Sequence, residues 1–556
     1  MRTGNYTRRR SMTDMLRQTT AIVDALQKMR DEALHHGRKI TENGKAIDEH
    51  QVHTERLAYL ATEVEAARAL LAYANGAQEH GETEASEMAL GFASEIGQKW
   101  LNQADIHLTD FGFAEAVLGD TIGRGDIKAA MRVGAHENRF RQIGRSVIAN
   151  RGVNNSWLES DIAVMTRDSV RQFARSEVSQ VAERVHRHDE LIPEHIITHM
   201  AELGFFGMSV PEEYGGGGMG NLAMIITTEE LSCASLGVAG SLITRPEILT
   251  KALLRGGTEA QKKKWLPPIA AGELMVAISV TEPDTGSDVA SVKCRAEAAT
   301  VGGKQGYVIN GAKAWCTFAG RANIIAMLTR TNPDPKSGAR GLSLFIVEKD
   351  QFPGHSFEMR QPTGGVLGGT AIPTLGYRGM HSYILNCDNY FVPAENLVGE
   401  EGGLNKGFYL QMAGFAAGRL QTGGRATGLA QAALEVTATY ANERKQFGTS
   451  LGDFQLTQYK LGRMATYVAA ARQLSYAAAP AMDKDEAAAV IAAMAKLLAC
   501  DVAVSVTQEG QLIHGGWGYG EEYAISRYVV DALVLPIFEG VKPILELKVI
   551  GRTLLA

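Results

Sequence analysis

From Met12 to about residue 150, apolar positions recur at helical spacing, as in "MTDMLRQTTAIVDALQKMRDEAL" and "TERLAYLATEVEAARALLAYA", with few prolines to interrupt them. The spacing predicts a helical bundle over 1–150. The polar "RGVNNSW" at 151–157 reads as a linker, and a second helical stretch follows over 158–274. From 275 to 400 the pattern changes to short runs, "GYVING", "IIAMLTR", "LSLFIVEK" and "YILNCDNYFVP", set apart by Gly, Pro, Asn and Asp, which predicts a β-domain. Over 401–556 long Ala-rich patterns return, "GLAQAALEVTATYANERKQ" and "YKLGRMATYVAAARQLSYAAA". The predicted class is α+β, mainly helical, in the order helical, helical, β, helical.

The two helical ends resemble one another. Aligned without a gap, residues 51–70 and 455–474 share Gln51/Gln455, Leu57/Leu461, Ala61/Ala465, Thr62/Thr466, Val64/Val468, Ala66/Ala470, Ala67/Ala471, Arg68/Arg472 and Leu70/Leu474. Further along, "FGFAE" at 111 parallels "WGYGE" at 517. Similar composition accounts for part of this, but the order points to a degenerate duplication whose first copy lacks the Gly-Gly before its aromatic residue and should be structural.

Composition narrows the class. A net charge of −6 and a pI near 6.2 provide no global attraction to nucleic acid or an anionic membrane. The five cysteines (Cys233, Cys294, Cys316, Cys387, Cys500) are scattered without C-x-x-C spacing, which fits a reducing compartment, read as cytoplasmic, better than a disulfide framework or zinc site. No apolar run reaches the ~20 residues of a membrane span. "GGGGMG" at 215–220 formally matches a dinucleotide fingerprint, but no strand signal leads into it. His186, His188, His195 and His199 read as a helix-turn-helix surface, so no metal is expected there.

Several stretches carry candidate chemistry. "VTEPDTGSDV" at 280–289 puts Thr281, Gly286 and Ser287 in one turn, suited to gripping a phosphate or the polar rim of a heterocycle. "INGAKAWCTFAG" places Trp315 and Thr317 two apart, on one face of a strand, so that an indole can cover a flat ring and a hydroxyl bond its edge. In "LPIFEGVKP" a single carboxylate, Glu539, follows an apolar run with no cation nearby in sequence, a setting that raises proton affinity if the side chain is buried.

Together with "ERKQFG", "HGGWGYG", "PEEYGGGG", "TEAQKKKWLPPIAAGE" and "GFYLQMAGFAAGR", in order from about 158 to the C-terminus, these stretches resemble the acyl-CoA dehydrogenase family. The resemblance implies the family's fold (helical domain, β-barrel-like middle domain, C-terminal four-helix bundle) with an added N-terminal bundle. It implies FAD as cofactor, an acyl-CoA thioester as substrate, and an electron-transfer flavoprotein as acceptor, with neither nucleic acid nor membrane as partner. Glu539 would abstract the α-proton while a β-hydride passes to the flavin. The alternative family position for the base is Gly418 here. Trp315 would shield the flavin, Thr317 bond near its reactive nitrogen, and Thr281 and Ser287 contact flavin and CoA. Arg444, Phe447 and Gln455 would reach FAD of a neighbouring subunit, Gly515 and Gly516 would let backbone approach its pyrophosphate, Arg419 would support the base and Phe415 lie beside the thioester. Val541, Pro543 and Leu512 depart from the family pattern on the adenine side.

Two features lie outside the common family plan: the N-terminal bundle and a Gly-rich insertion, "PTGGVLGGTAIPTLGYRGM", at 362–380. That combination resembles a branch of the family whose substrate is a short, α-branched acyl-CoA ending in a carboxylate; the resemblance implies a cation in a short pocket, with Arg245 in "SLITRPE" where the family's acyl tail ends. Family members assemble as dimers of dimers through their C-terminal bundles, so a fused bundle copy suggests a homodimer. Other short branched acyl-CoA thioesters, an oxidase, and a DNA-binding flavoprotein of the same fold are the competing readings.

Overall fold

The computed structural model describes residues 2–485 and 488–556. They form two compact units, one of residues up to Met165 together with Thr422–Ala556, the other Thr166–Gln421. The four segments read from the sequence are thus regrouped, because the N-terminal helices bury their apolar faces against the C-terminal ones.

In the first unit, helices Arg2–Ile40, Gln51–Glu79, Glu84–Ile106 and Glu137–Ala149 pack with Gln455–Lys484, Ala489–His514, Ile525–Ala532 and the part of Gly407–Glu443 from Thr422 onward. The matched helices of the repeat both begin at the matched glutamine, Gln51 and Gln455. Bare backbone permits the closest approach: a Cβ at Gly144 would overlap the Gln458 carbonyl, and one at Gly462 the Phe140 carbonyl. Polar links add to the seam: the Tyr59 hydroxyl donates to Asp501 at 2.6 Å, and Arg463 and Tyr467 both hold Glu95, at 2.9 and 2.8 Å. Residues 151–157 are not a free linker, since Gln431 donates to the Gly152 carbonyl at 2.7 Å and Trp157 stacks on His80 at 4.5 Å between ring centroids.

Helix Ala489–His514 is, against the expectation from the sequence, long and apolar enough to cross a membrane; Lys496 and Asp501 break up its apolar pattern. Its apolar stretch is 67% buried within the structure, as in a core helix.

The second unit is helical up to Ala270 and then turns into a sheet. Its strands are β1 (Val276–Ser279), β2 (Arg295–Val301), β3 (Lys304–Thr317), β4 (Ile324–Arg330), β5 (Leu342–Glu348), β6 (Ser356–Arg360), β7 (Val366–Ile372) and β8 (Ser382–Pro393). The hydrogen-bonded order is β1-β4-β2-β3-β8-β7-β6, with β5 on β4. Pairing of β4 with β1 and with β2 is parallel and the rest antiparallel. One side packs Ile309, Phe345, Leu367 and Tyr390 into a core, while Leu249, Leu253, Trp265 and Ile269 of the helices close over Val276, Leu344 and Ile346. The first half of the Gly-rich insertion is therefore strand β7; Gly369 is required there, because a Cβ would overlap the Phe357 ring. No strand precedes "GGGGMG" among the described residues; of the histidines read as a surface, His186 is buried, and His199 bonds Glu177 at 2.9 Å.

Candidate active site

Chemistry-bearing residues occur in each unit. In the second, the turn after β1 closes through mutual Glu282–Thr285 backbone bonds of 2.9 and 3.1 Å. Glu282 anchors this turn: its buried carboxylate accepts from the Lys293 and Cys294 backbone N–H groups at 2.7 and 2.8 Å and from the fully buried Lys313 ammonium at 2.9 Å. The Ala314 N–H donates to the Thr281 carbonyl at 2.8 Å, fastening the turn to β3. Thr281 is half-buried, Gly286 and Ser287 are exposed, and a Cβ at Gly286 would meet nothing within 4 Å.

Near its end β3 has an irregularity between Lys313 and Cys316, where Trp315 adopts φ +57°. The indole is left 56% exposed, unusual for so large an apolar ring, while Cys316 points into the core and Thr317, half-buried, shares a 2.9 Å bond with Ser382. Phe415 packs against the cluster of Val280, Val292, Leu328 and Leu342, of which Val280 precedes Thr281 directly. Gly418 is buried and Arg419 half-buried.

Arg245 is buried, donating to the Ser241 carbonyl at 2.7 Å and to the Tyr377 hydroxyl at 2.9 Å. No carboxylate pairs with it among the described residues. Its charge is felt at the Cys316 thiol, whose pKa burial pushes up to about 12 and Arg245 draws partly back. Tyr377, at φ +60°, belongs to the second half of the Gly-rich insertion, so the insertion and the arginine, separate features in the sequence, meet in space.

In the first unit, Glu539 lies at φ +56° just before Gly540 at φ +100°. Lys496, fully buried, donates to the carbonyls on both sides, Phe538 at 2.6 Å and Gly540 at 2.5 Å, and so clamps this backbone. The expectation of an isolated carboxylate is corrected here. Arg425, also fully buried, reaches both Glu539 oxygens at 2.8 Å, Thr422 donates to Oε2 at 2.5 Å, and the guanidinium lies 4.5 Å from the Phe538 ring centroid. The apolar flank is therefore only the sequence-local part of the surroundings of Glu539. Glu539 is thus held by Arg425, an arginine that the sequence reading did not name beside Arg419. Its signal was present in "RLQTGGRA": Thr422 and Arg425 are three apart and share a helix face.

The residues of this unit that the resemblance assigns to FAD are open. Arg444, Gln455, Gly515 and Gly516 are exposed, Phe447 is 95% exposed, and a Cβ at Gly515 or Gly516 would touch nothing. Gly515 sits at φ +62°, ψ −138°, a conformation reserved for glycine. The exposed Phe447 ring and the unhindered Gly-Gly backbone suit a large cofactor with a pyrophosphate. By contrast Phe111, the counterpart of Trp517 in the first copy, is buried and stacks on Phe113 at 5.7 Å.

The chain belongs to the acyl-CoA dehydrogenase family. Models of its N-terminal and middle domains match residues 160–273 and 277–388, and that of its C-terminal domain matches residues 10–106 and 405–555. The chain is accordingly an oxidoreductase acting on acyl-CoA. It is similar to the (2S)-methylsuccinyl-CoA dehydrogenase of Cereibacter sphaeroides, 39% identical over 521 residues and 92% of each chain. Among solved structures it is similar to butyryl-CoA dehydrogenase from Megasphaera elsdenii, with TM-score 0.64 and 32% identity over 72% of this chain and 100% of that one. It is also similar to glutaryl-coenzyme A dehydrogenase in complex with glutaryl-CoA, with TM-score 0.63 and 32% identity over 71% and 95%.

Proposed function

We propose that this enzyme desaturates a short, α-branched acyl-CoA ending in a carboxylate, specifically (2S)-methylsuccinyl-CoA to mesaconyl-CoA. The observation that carries the reading is Arg245, a buried guanidinium whose described partners are a carbonyl and a phenol, both neutral. A buried cation of this kind calls for an anion, and a substrate carboxylate supplies one. The likeness to relatives named for methylsuccinyl-CoA and bound to glutaryl-CoA supports the same class.

The cofactor is FAD, which when bound accepts the hydride leaving the β-carbon. Glu539 takes the α-proton, and its backbone N–H polarises the thioester carbonyl. Trp315 covers the flat ring system, with Thr317 and Thr281 at its edge, while Gly515 and Gly516 admit the pyrophosphate and Arg444, Phe447 and Gln455 serve the site of a second subunit. Ser287 holds CoA, Phe415 flanks the thioester, and Arg419 acts on the substrate side. Electrons then pass to an electron-transfer flavoprotein, and the free thiols suit the cytoplasm.

Anaerobic bleaching of the flavin by methylsuccinyl-CoA, beside butyryl- and isobutyryl-CoA, tests the assignment; bleaching by the uncharged thioesters alone overturns it. Arg245→Ala should raise KM for methylsuccinyl-CoA at least about 30-fold, with far less change for butyryl-CoA, because a buried charged hydrogen bond is lost. Tyr377→Phe should give the same selectivity at about a tenth of the size. Equal losses on both substrates would remove the carboxylate role.

The assembly follows from the duplication. A C-terminal-domain model that also matches residues 10–106, and one compact unit containing both segments, support a bundle copy standing where other members recruit a second dimer. The expected species in light scattering is a homodimer; a tetramer would refute this.

A further inference from the structure

Away from the residues assigned above, three side chains far apart in sequence converge within the second unit. One ligand atom each from Asp189, His355 and His381 lies within 4.8 Å of the others. His381 is buried, Asp189 half-buried and His355 exposed, so the cluster opens to solvent through His355. The two imidazoles are 4.4 Å apart between centroids and tilted by 38°.

The surroundings of His381 are the informative part. Nδ1 lies 3.2 Å from the Gly379 carbonyl and Nε2 lies 3.2 Å from Asp189 Oδ1. A neutral imidazole has one N–H, so either tautomer leaves a lone pair directed at an oxygen. A metal ion bound at Nε2 relieves this, taking the lone pair while Nδ1–H donates to the Gly379 carbonyl. Two ligands at typical zinc distances in a tetrahedron stand about 3.4 Å apart, close to the separation of Nε2 and Oδ1. Donation from Nδ1–H to a backbone carbonyl is the usual support for a histidine that ligates through Nε2. Arg378, with Nε 3.4 Å from Asp189 Oδ1, is a competing cation and flanks the site.

We propose that Asp189, His355 and His381 form a three-ligand site for a divalent transition metal of the zinc type, with a water in the remaining position. The ion ties the segment at Asp189 to the approaches of β6 and β8. It thereby fixes residues 377–381, where Tyr377 holds Arg245. Nothing in this role requires the ion to take part in dehydrogenation.

The test uses the full-length, FAD-loaded protein after chelation and dialysis. Cobalt(II) titration followed by visible absorption, and zinc titration by calorimetry, should show one ion per chain and a raised melting temperature. His381→Gln should abolish this binding. His355→Gln, an exposed change that leaves the core intact, should weaken it at least about tenfold. Binding unchanged in His355→Gln, or no binding tighter than about 1 mM in the wild type, overturns the site whatever the substrate proves to be.

Discussion

In Glu539→Gln, anaerobic flavin bleaching by methylsuccinyl-CoA is expected to slow by about 10²–10⁴-fold, the range in which a positioned general base contributes. Glutamine keeps the shape and can still accept from Arg425 and Thr422 through its amide oxygen, but it cannot take a proton from carbon. Bound FAD and thioester affinity should therefore persist. The backbone clamp from Lys496 to Phe538 and Gly540 is untouched by the change and keeps residue 539 in place. Bleaching at the wild-type rate would place the base elsewhere, and the alternative family position, Gly418, has no side chain to supply it.

The second large effect concerns Arg425. Its guanidinium is fully buried and serves both Glu539 oxygens as well as the Thr422 hydroxyl, the last at 2.6 Å. Arg425→Met strands a buried carboxylate, which typically costs about 3–5 kcal/mol. A marked fall in melting temperature and loss of dehydrogenation are both expected. The double variant Arg425→Met with Glu539→Leu separates the two roles, since replacing a whole buried pair by apolar groups is often near neutral. It should melt close to wild type yet bleach no flavin. Full activity in Arg425→Met would mean that the ion pair neither orients nor holds the base. A double variant as unstable as the single one would show that Arg425 supports the bundle through contacts other than Glu539.

How far the site was legible depended on the range of each interaction. Trp315, Thr317 and the turn at Thr281 are local patterns within one strand or turn. The anchoring of that turn by Glu282 and Lys313 spans 31 positions and left no periodic trace. Arg425 and Glu539 are 114 residues apart, so the sequence flank of Glu539 shows only apolar residues. The polar stretch 151–157 looked like a linker because composition reports solvation tendency, and not that Gln431 would reach the Gly152 carbonyl.

By itself the sequence determined the order of helical and β segments, the family, the flavin and the position of a carboxylate in "FEG". These reside in short-range periodicity and in ordered motifs, which one chain displays directly. Only the tertiary structure decided that the two helical ends form one compact unit, that Glu539 is gripped by Arg425 and Thr422, that Tyr377 of the insertion meets Arg245, and that Asp189, His355 and His381 converge. Each depends on which buried surfaces meet. That is settled by packing and by the cost of leaving charge unpaired in a core, terms that act between residues more than a hundred positions apart.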